Sequence, residues 1–308
     1  IACDLHPGYL STRWARERAA ARRVPLIAVQ HHHAHLAALS AEHGLAPDEP
    51  LLAFTFDGTG FGLDGTIWGG EVLLGDARGF ERVAHLGATL LPGGDAAVRH
   101  PARVALAQLW AAGVPWEETH AAEALSEGER RLLRTQLERR LNTVTTTSMG
   151  RFLDAASSLA GVRHTASYEG QAAIEFEALA RDGAPDQRYR FGVRVGDDGA
   201  LRMDGAPVLR QVAADAARGR ATRDIARAVH DGLAECIVEV ADAVRTQRGI
   251  DRVGLTGGVF QNVLLLSLAG ARLRAAGFTV LRHHRVPPND GGLALGQAVI
   301  AAASEVLS

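Results

Sequence analysis

Short apolar runs bounded by Gly, Asp or Pro recur at 26–29, 51–56, 71–74, 253–256 and 279–282. Runs of this length between turn residues predict buried strands. Between them lie alanine-rich stretches with helical spacing, at 35–43, 103–112, 121–141, 151–160, 222–248, 262–276 and 291–304. Strands alternating with helices predict an α/β architecture with partly parallel sheets. The stretch 102–141 is helical with no strand inside it and reads as an insertion between two lobes, 1–141 and 142–308. Segment 187–212 alternates Tyr189, Phe191, Val193 and Val195, then Leu201 and Met203, around Gly196-Asp197-Asp198-Gly199. That pattern predicts a hairpin, expected to lie outside the main sheet.

A chain of 308 residues, 47% hydrophobic and 22% charged, is long enough to bury one large core or two and is too apolar to be disordered. All 33 basic side chains are Arg, which excludes a lysine Schiff base or lysine general base. A net charge of -2 with no basic run leaves no electrostatic footprint for nucleic acid, so no nucleic-acid partner is expected. Cys3 and Cys236 are the two cysteines, far apart and without C-x-x-C spacing. Neither a disulfide framework nor a thiolate zinc site follows, and a reducing cytoplasmic setting is expected. No apolar run approaches the ~20 residues of a membrane span, and no signal peptide is evident. Ile1-Ala2-Cys3-Asp4 reads as the end of a strand already inside a fold, so the chain is expected to be a fragment.

Candidate chemistry begins at Gln30-His31-His32-His33-Ala34-His35, which follows a predicted strand and opens a helix. Residues four apart share a helix face with Cβ atoms ~5–6 Å apart, so His31 and His35 can aim at one ion. A single histidine there would more simply cap the helix or fill space, but four in five residues point to metal binding. His32 and His33 aim elsewhere and are candidates for substrate contact. Two histidines seldom complete a metal site, so oxygen ligands are expected nearby. Asp57 closes the run 51–56 and opens Asp57-Gly58-Thr59-Gly60, where glycines let a phosphate approach backbone N–H groups. Asp290 stands in Asn289-Asp290-Gly291-Gly292, just before the last predicted helix, whose N-terminus favours anions. Each aspartate alone would be an ordinary turn or capping residue. Gly257-Gly258, delivered by a strand, suits close approach of a nucleotide that Asn262 could hydrogen-bond. Neither a P-loop nor a G-x-S-x-G elbow occurs.

Taken together, strings spanning nearly the whole chain resemble the C-terminal domain of the HypF family of hydrogenase-maturation carbamoyltransferases. They are Cys3-Asp4-Leu5-His6-Pro7 with Tyr9-Leu10-Ser11-Thr12-Arg13, the histidine run, and Asp57-Gly58-Thr59-Gly60 through Asp64-Gly65-Thr66-Ile67-Trp68-Gly69-Gly70-Glu71. Further along come Leu91-Pro92-Gly93-Gly94-Asp95-Ala96-Ala97, Thr147-Ser148-Met149-Gly150-Arg151 and Tyr168-Glu169-Gly170-Gln171-Ala172-Ala173. The segments 257–262 and 289–297 complete the set.

The resemblance implies an actin-like ATPase (ASKHA, ribonuclease H-like) fold, two-lobed with a helical insertion, shared with the threonylcarbamoyl-adenosine and NodU-type O-carbamoyltransferase families. It implies His31, His35, Asp57 and Asp290 as ligands of one divalent ion, iron or zinc, with His31, His35 and Asp57 catalytic. ATP or carbamoyl adenylate would lie among Gly58, Thr59, Gly60, Asp154, Glu169, Gly170, Gly257, Gly258, Asn262 and Asn289. The implied reaction passes a carbamoyl group from carbamoyl adenylate, made in a separate YrdC-like domain, to the C-terminal cysteine of HypE as precursor of the cyanide ligand of nickel-iron hydrogenase. The last helix, about 291–304, is expected to pack back on the first lobe. The first hairpin of that lobe appears missing before Ile1, which puts the activity of the fragment alone in question. The alternatives are an O-carbamoyltransferase with a small hydroxyl acceptor and a non-catalytic nucleotide-binding scaffold.

Overall fold

The computed structural model describes residues 1–185 and 188–305. The chain opens with β1 (Ala2–Asp4), α1 (Leu10–Arg22), β2 (Ile27–Val29) and α2 (His31–Glu42). β1 and β2 pair in parallel with Asp4 opposite Val29, so the end of β1 lies beside the start of α2. β3 (Leu51–Phe61), β4 (Ile67–Gly75) and β5 (Phe80–Leu86) then form an antiparallel meander. β6 (Thr89–Pro92) leads into α3 (Pro101–Ala111), α4 (His120–Glu123) and α5 (Glu127–Arg139), and β7 (Thr143–Thr146) returns antiparallel to β6. Next come α6 (Met149–Leu159), α7 (Gln171–Ala180), β8 (Gly192–Val195), β9 (Leu201–Asp204), α8 (Ala206–Ala217) and α9 (Thr222–Arg248). β10 (Arg252–Thr256), α10 (Val263–Ala275), β11 (Thr279–Arg282), a short 3-10 turn (Asp290–Gly292) and α11 (Leu293–Glu305) close the fold.

Among the described residues the main sheet runs β11-β10-β3-β4-β5-β9-β8, with β10 parallel to both β3 and β11. β3 lies inside this sheet, and its first six residues are apolar except Thr55 because both faces there are covered. Its alternate side chains separate as a strand's must. Leu52, Phe54 and Phe56 enter the large core shared with α3, α6 and α9, while Leu51 and Ala53 pack with Leu36 and Leu39 of α2. Each fully buried phenylalanine here stabilises the fold by roughly 1.5–3 kcal/mol relative to exposure. α11 packs across α2 so closely that a β-carbon on Gly296 would lie 1.9 Å from the Ala34 carbonyl oxygen, which only glycine tolerates.

The α/β class expected from the sequence is what the fold has. All five predicted strands form, and so does the helix over 222–248. α2 begins at His31 rather than at 35, because Gln30 caps it. The single helix expected over 121–141 is two, since Ser126 and Glu129 form a reciprocal capping box that restarts the helix. The hairpin forms as β8 and β9, but β9 pairs in parallel with β5, so it extends the main sheet instead of lying outside it. Its expected tail at 206–212 is the start of α8, and Gln187, its expected first residue, lies outside the described residues. One sheet runs across the 141/142 division, because β10 and β11 stand beside β3. α1, α7, α8, β5, β6 and β7 were not anticipated. Among the described residues no helix is long and apolar enough to cross a membrane.

Candidate functional site

The start of α2 is fixed before any chemistry is added. The Gln30 side-chain oxygen accepts from the His33 N–H at 2.8 Å, and its nitrogen donates to the Phe61 carbonyl at 3.1 Å. The cap aims the first turn of the helix at the end of β1. There Asp4 Oδ2 accepts from His31 Nδ1 at 2.8 Å, and both side chains are buried. With the proton held on Nδ1, the lone pair of Nε2 points the other way. That Nε2 atom is buried and has no hydrogen-bond partner.

The orphaned nitrogen faces three groups that the sequence placed on separate segments. His35, one turn along, has its Nε2 2.8 Å from Asp57 Oδ2. His31 Nε2 lies 3.5 Å from the same oxygen and 3.6 Å from Asp290 Oδ1, which is 3.9 Å from His35 Nε2. One ligand atom from each of these four residues lies within 4.8 Å of all the others. Two imidazoles and two carboxylates are a donor set suited to iron or zinc. The carboxylate behind His31 is the outer support that metal-ligating histidines usually have. The residues present therefore fit a divalent ion.

The electrostatics agree with that fit. Burial opposes a charge on His31, yet the neighbouring carboxylates of Asp290, Asp4 and Asp57 outweigh it and hold its pKa well above the ordinary histidine value. Burial likewise opposes the Asp57 carboxylate, and His31 and His35 outweigh it, keeping the acid well below the usual carboxylate range. Excess negative charge is thus gathered at this point, where a proton or a cation can neutralise it.

Glycines allow the segments to converge. The β3–β4 register is irregular between Phe56 and Gly60, so the strand continues to Phe61 instead of ending at Asp57. A β-carbon on Gly60 would lie 2.5 Å from His32 and 2.8 Å from His31, so this glycine makes room for imidazoles. Gly257 adopts φ +99° with Phe56 O 2.2 Å from its missing β-carbon, and the corresponding point on Gly258 is 2.8 Å from Asp57 Oδ1. Gly257 N–H donates to the Pro288 carbonyl at 2.9 Å, tying β10 to the loop that carries Asp290. Asn289 caps the turn after it by accepting from Gly291 N–H at 3.1 Å.

Other predicted site residues are placed differently. Gly58 sits against Gly150 at the start of α6, with Glu169 Oε1 3.4 Å from its missing β-carbon. Glu169 is exposed, and Gly170 opens α7 with φ +77°. Thr59 is partly exposed beside them in the chain. Asp154 is buried and ion-paired to Arg151 at 2.8 Å, with burial raising its pKa. Asn262 caps α10 through Leu265 N–H at 2.8 Å and meets His230 Nε2 at 2.8 Å, so its amide already has two partners inside the protein. His32 and His33, the candidates for substrate contact, are turned into the protein. His32 is fully buried with Nδ1 at 3.2 Å from Gln30, and His33 donates to the Asp76 carbonyl at 2.7 Å.

Reasoning from ligand spacing missed Asp4, whose signal lay in Cys3-Asp4-Leu5-His6-Pro7. It also missed Ser148, whose Oγ donates to the Gly58 carbonyl at 2.5 Å and accepts from Arg151 N–H at 3.1 Å. Arg151 went unassigned too, although its guanidinium is buried beneath Gly58 with Nη1 unpartnered.

Residues 53–297 match a family model described as the carbamoyltransferase Kae1-like domain, second subdomain, and residues 1–42 match the HypF Kae1-like domain. The chain is 42% identical over 306 residues to the carbamoyltransferase HypF of Rhodobacter capsulatus, covering 98% of this chain and 39% of that protein. It is 41% identical over 308 residues to a carbamoyltransferase HypF homolog of Cupriavidus necator, covering 98% of this chain and 77% of that one. A crystal structure of full-length HypF in a phosphate- and nucleotide-bound form superposes with a TM-score of 0.90 at 37% identity, over 100% of this chain and 47% of that one. The chain thus spans about two-fifths of the length of most curated relatives it matches. The fold is that of the HypF structures and of their Kae1-like domain.

Proposed function

This chain belongs to the HypF carbamoyltransferase family, and from that premise we propose that it transfers a carbamoyl group from carbamoyl adenylate to the C-terminal cysteine of a HypE-like acceptor protein. The observation that carries the reading is the meeting of His31, His35, Asp57 and Asp290 around a buried, unpartnered nitrogen. These four would hold one divalent ion, iron or zinc, which when bound supplies positive charge to a phosphate oxygen.

The chain's own groups do the rest. Asp4 fixes the tautomer of His31 and the direction of its lone pair. The backbone at Gly58, Thr59 and Gly258, beside Asp57, would receive the phosphate, the two glycines leaving their N–H groups without a side chain of their own over them. Glu169 and Gly170 flank that space on the ribose side, and Asp154 holds Arg151 beneath it. That a full-length HypF has been solved in a phosphate- and nucleotide-bound form supports nucleotide binding in this family.

No internal nucleophile is required. Cys3 and Cys236 are buried, and burial pushes both thiols up, away from the reactive thiolate. The acceptor brings its own sulfur. Its thiol gives up a proton, the C–S bond forms, the C–O bond to the adenylate phosphate breaks, and AMP leaves with that electron pair. A YrdC-like domain of the full-length protein, acting in the cytoplasm, would supply the carbamoyl adenylate, and the thiocarbamate would be the precursor of a cyanide ligand.

The test supplies labelled carbamoyl phosphate, ATP and a YrdC-like domain to the metal-loaded chain, with either a cysteine-tailed acceptor or an aminoglycoside. Label on the acceptor thiol supports the proposal. Label on the small hydroxyl compound alone rejects it in favour of an O-carbamoyltransferase, and nucleotide binding without transfer to either rejects it in favour of a scaffold.

A further inference from the structure

A cavity of about 330 Å³ opens where the β5–β6 connection, the end of α3, the β8–β9 hairpin and the start of α8 meet. Its volume falls at the lower end of the ~300–1,000 Å³ typical of small-ligand pockets. None of its lining residues belongs to the histidine–carboxylate cluster.

Three guanidiniums line it, from Arg194, Arg202 and Arg210, facing one carboxylate, Asp204. None of the three is ion-paired among the described residues, and Asp204 is engaged with the Ala206 N–H at 3.1 Å. Arg194 and Arg202 are register partners across β8 and β9, which places like charges directly opposite each other. Such a pair destabilises the sheet unless an anion lies between the charges. Arg202 is partly buried, its Nε has no hydrogen-bond partner, and it lies over Gly87, where a β-carbon would come within 3.0 Å of it.

A second polar group points to the same space. Gln108 of α3 is only 6% exposed and lines the cavity, yet its side-chain amide makes no hydrogen bond among the described residues. Its amide is therefore free to offer a donor and an acceptor to a ligand in the cavity. α8 also begins here, with no acidic residue in its first turn. Leu86, Phe152 and Leu209 give the cavity an apolar wall.

We propose that this cavity binds a small organic anion, a phosphate or carboxylate on a compact apolar body, with the anionic head between Arg194 and Arg202 and a polar atom on Gln108. The apolar wall receives the body of the ligand. Desolvation against that wall strengthens the charge-assisted hydrogen bonds at the head.

The test titrates the full chain with phenyl phosphate, benzoate and benzylamine by calorimetry, and solves crystals soaked with whichever anion binds. The titrations are run on the parent, on Arg194→Gln, on Arg202→Gln and on the double variant His31→Ala/His35→Ala. The proposal expects saturable binding of at least one anion and none of benzylamine. It also expects affinity to fall about tenfold in either arginine variant and to stay unchanged in the histidine variant. Preference between the two anions identifies the head group. Because Arg194 is exposed, its replacement leaves folding intact and keeps the test valid if Arg202→Gln does not fold. No saturable anion binding, equal binding of benzylamine, or binding lost only in the histidine variant would overturn it.

Discussion

Replacing Asp4 by Asn tests the proposed metal site without touching a ligand. In the parent, Asp4 Oδ2 accepts the His31 Nδ1 proton at 2.8 Å inside a buried pair. Asn keeps the size and removes the charge. If its oxygen faces His31, the tautomer survives but the imidazole is a weaker donor to a cation. If its amide nitrogen turns inward, the ring proton moves to Nε2 and the lone pair aimed at Asp57 and Asp290 is lost. Loss of such outer support typically costs ~10–100-fold in metal affinity, which is about 1.4–2.7 kcal/mol. The assay is competition for zinc against a chromogenic chelator at neutral pH, on parent and variant that show the same circular dichroism. A dissociation constant within about twofold of the parent, against the ~10-fold minimum expected, would refute the orientation argument.

Gly60→Ala would push a methyl into the space of His32 and His31, so zinc affinity should fall at least about tenfold with a destabilisation of ~1–3 kcal/mol, read by the same competition assay and by urea unfolding. The ion-free protein should show a two-sided pH profile. His31, raised above its unfolded value, contributes stability that is full below about pH 6.5 and lost as pH rises through the folded value. Asp57, depressed, contributes stability present above its unfolded value and lost as pH falls through the folded one. Melting temperature measured across pH, with and without zinc, checks this, since zinc should abolish the alkaline loss; a flat ion-free profile would count against the cluster. Glu42 anchors the loop leading to Asp290, accepting from the Arg285 and His284 N–H groups at 2.6 Å each and pairing with the buried side chain of His283; burial opposes its charge, but these bonds outweigh burial and lower its pKa to about 2. Glu42→Ala should therefore destabilise by about 1–3 kcal/mol and strip hydrogen-exchange protection from those two amides, and unchanged exchange there would remove Glu42 from the account of how Asp290 is positioned.

Local pattern settled much of this protein. Apolar run length located β3, β10 and β11, helical periodicity gave α9 its full extent, and i,i+4 spacing put His31 and His35 on one face of α2. Family strings pointed to Asp57 and Asp290. What local pattern missed was long-range pairing. β5 and β9 are far apart in sequence, so nothing nearby showed that the β8–β9 hairpin would extend the main sheet. Spacing gave Asp4 no role, because it reaches His31 only through the β1–β2 register. Nor does anything near Asn262 in sequence show that tertiary packing brings His230 against its amide. Residue type and spacing decide which groups can do chemistry, whereas their direction and their freedom depend on neighbours supplied by distant chain, which only the folded structure provides.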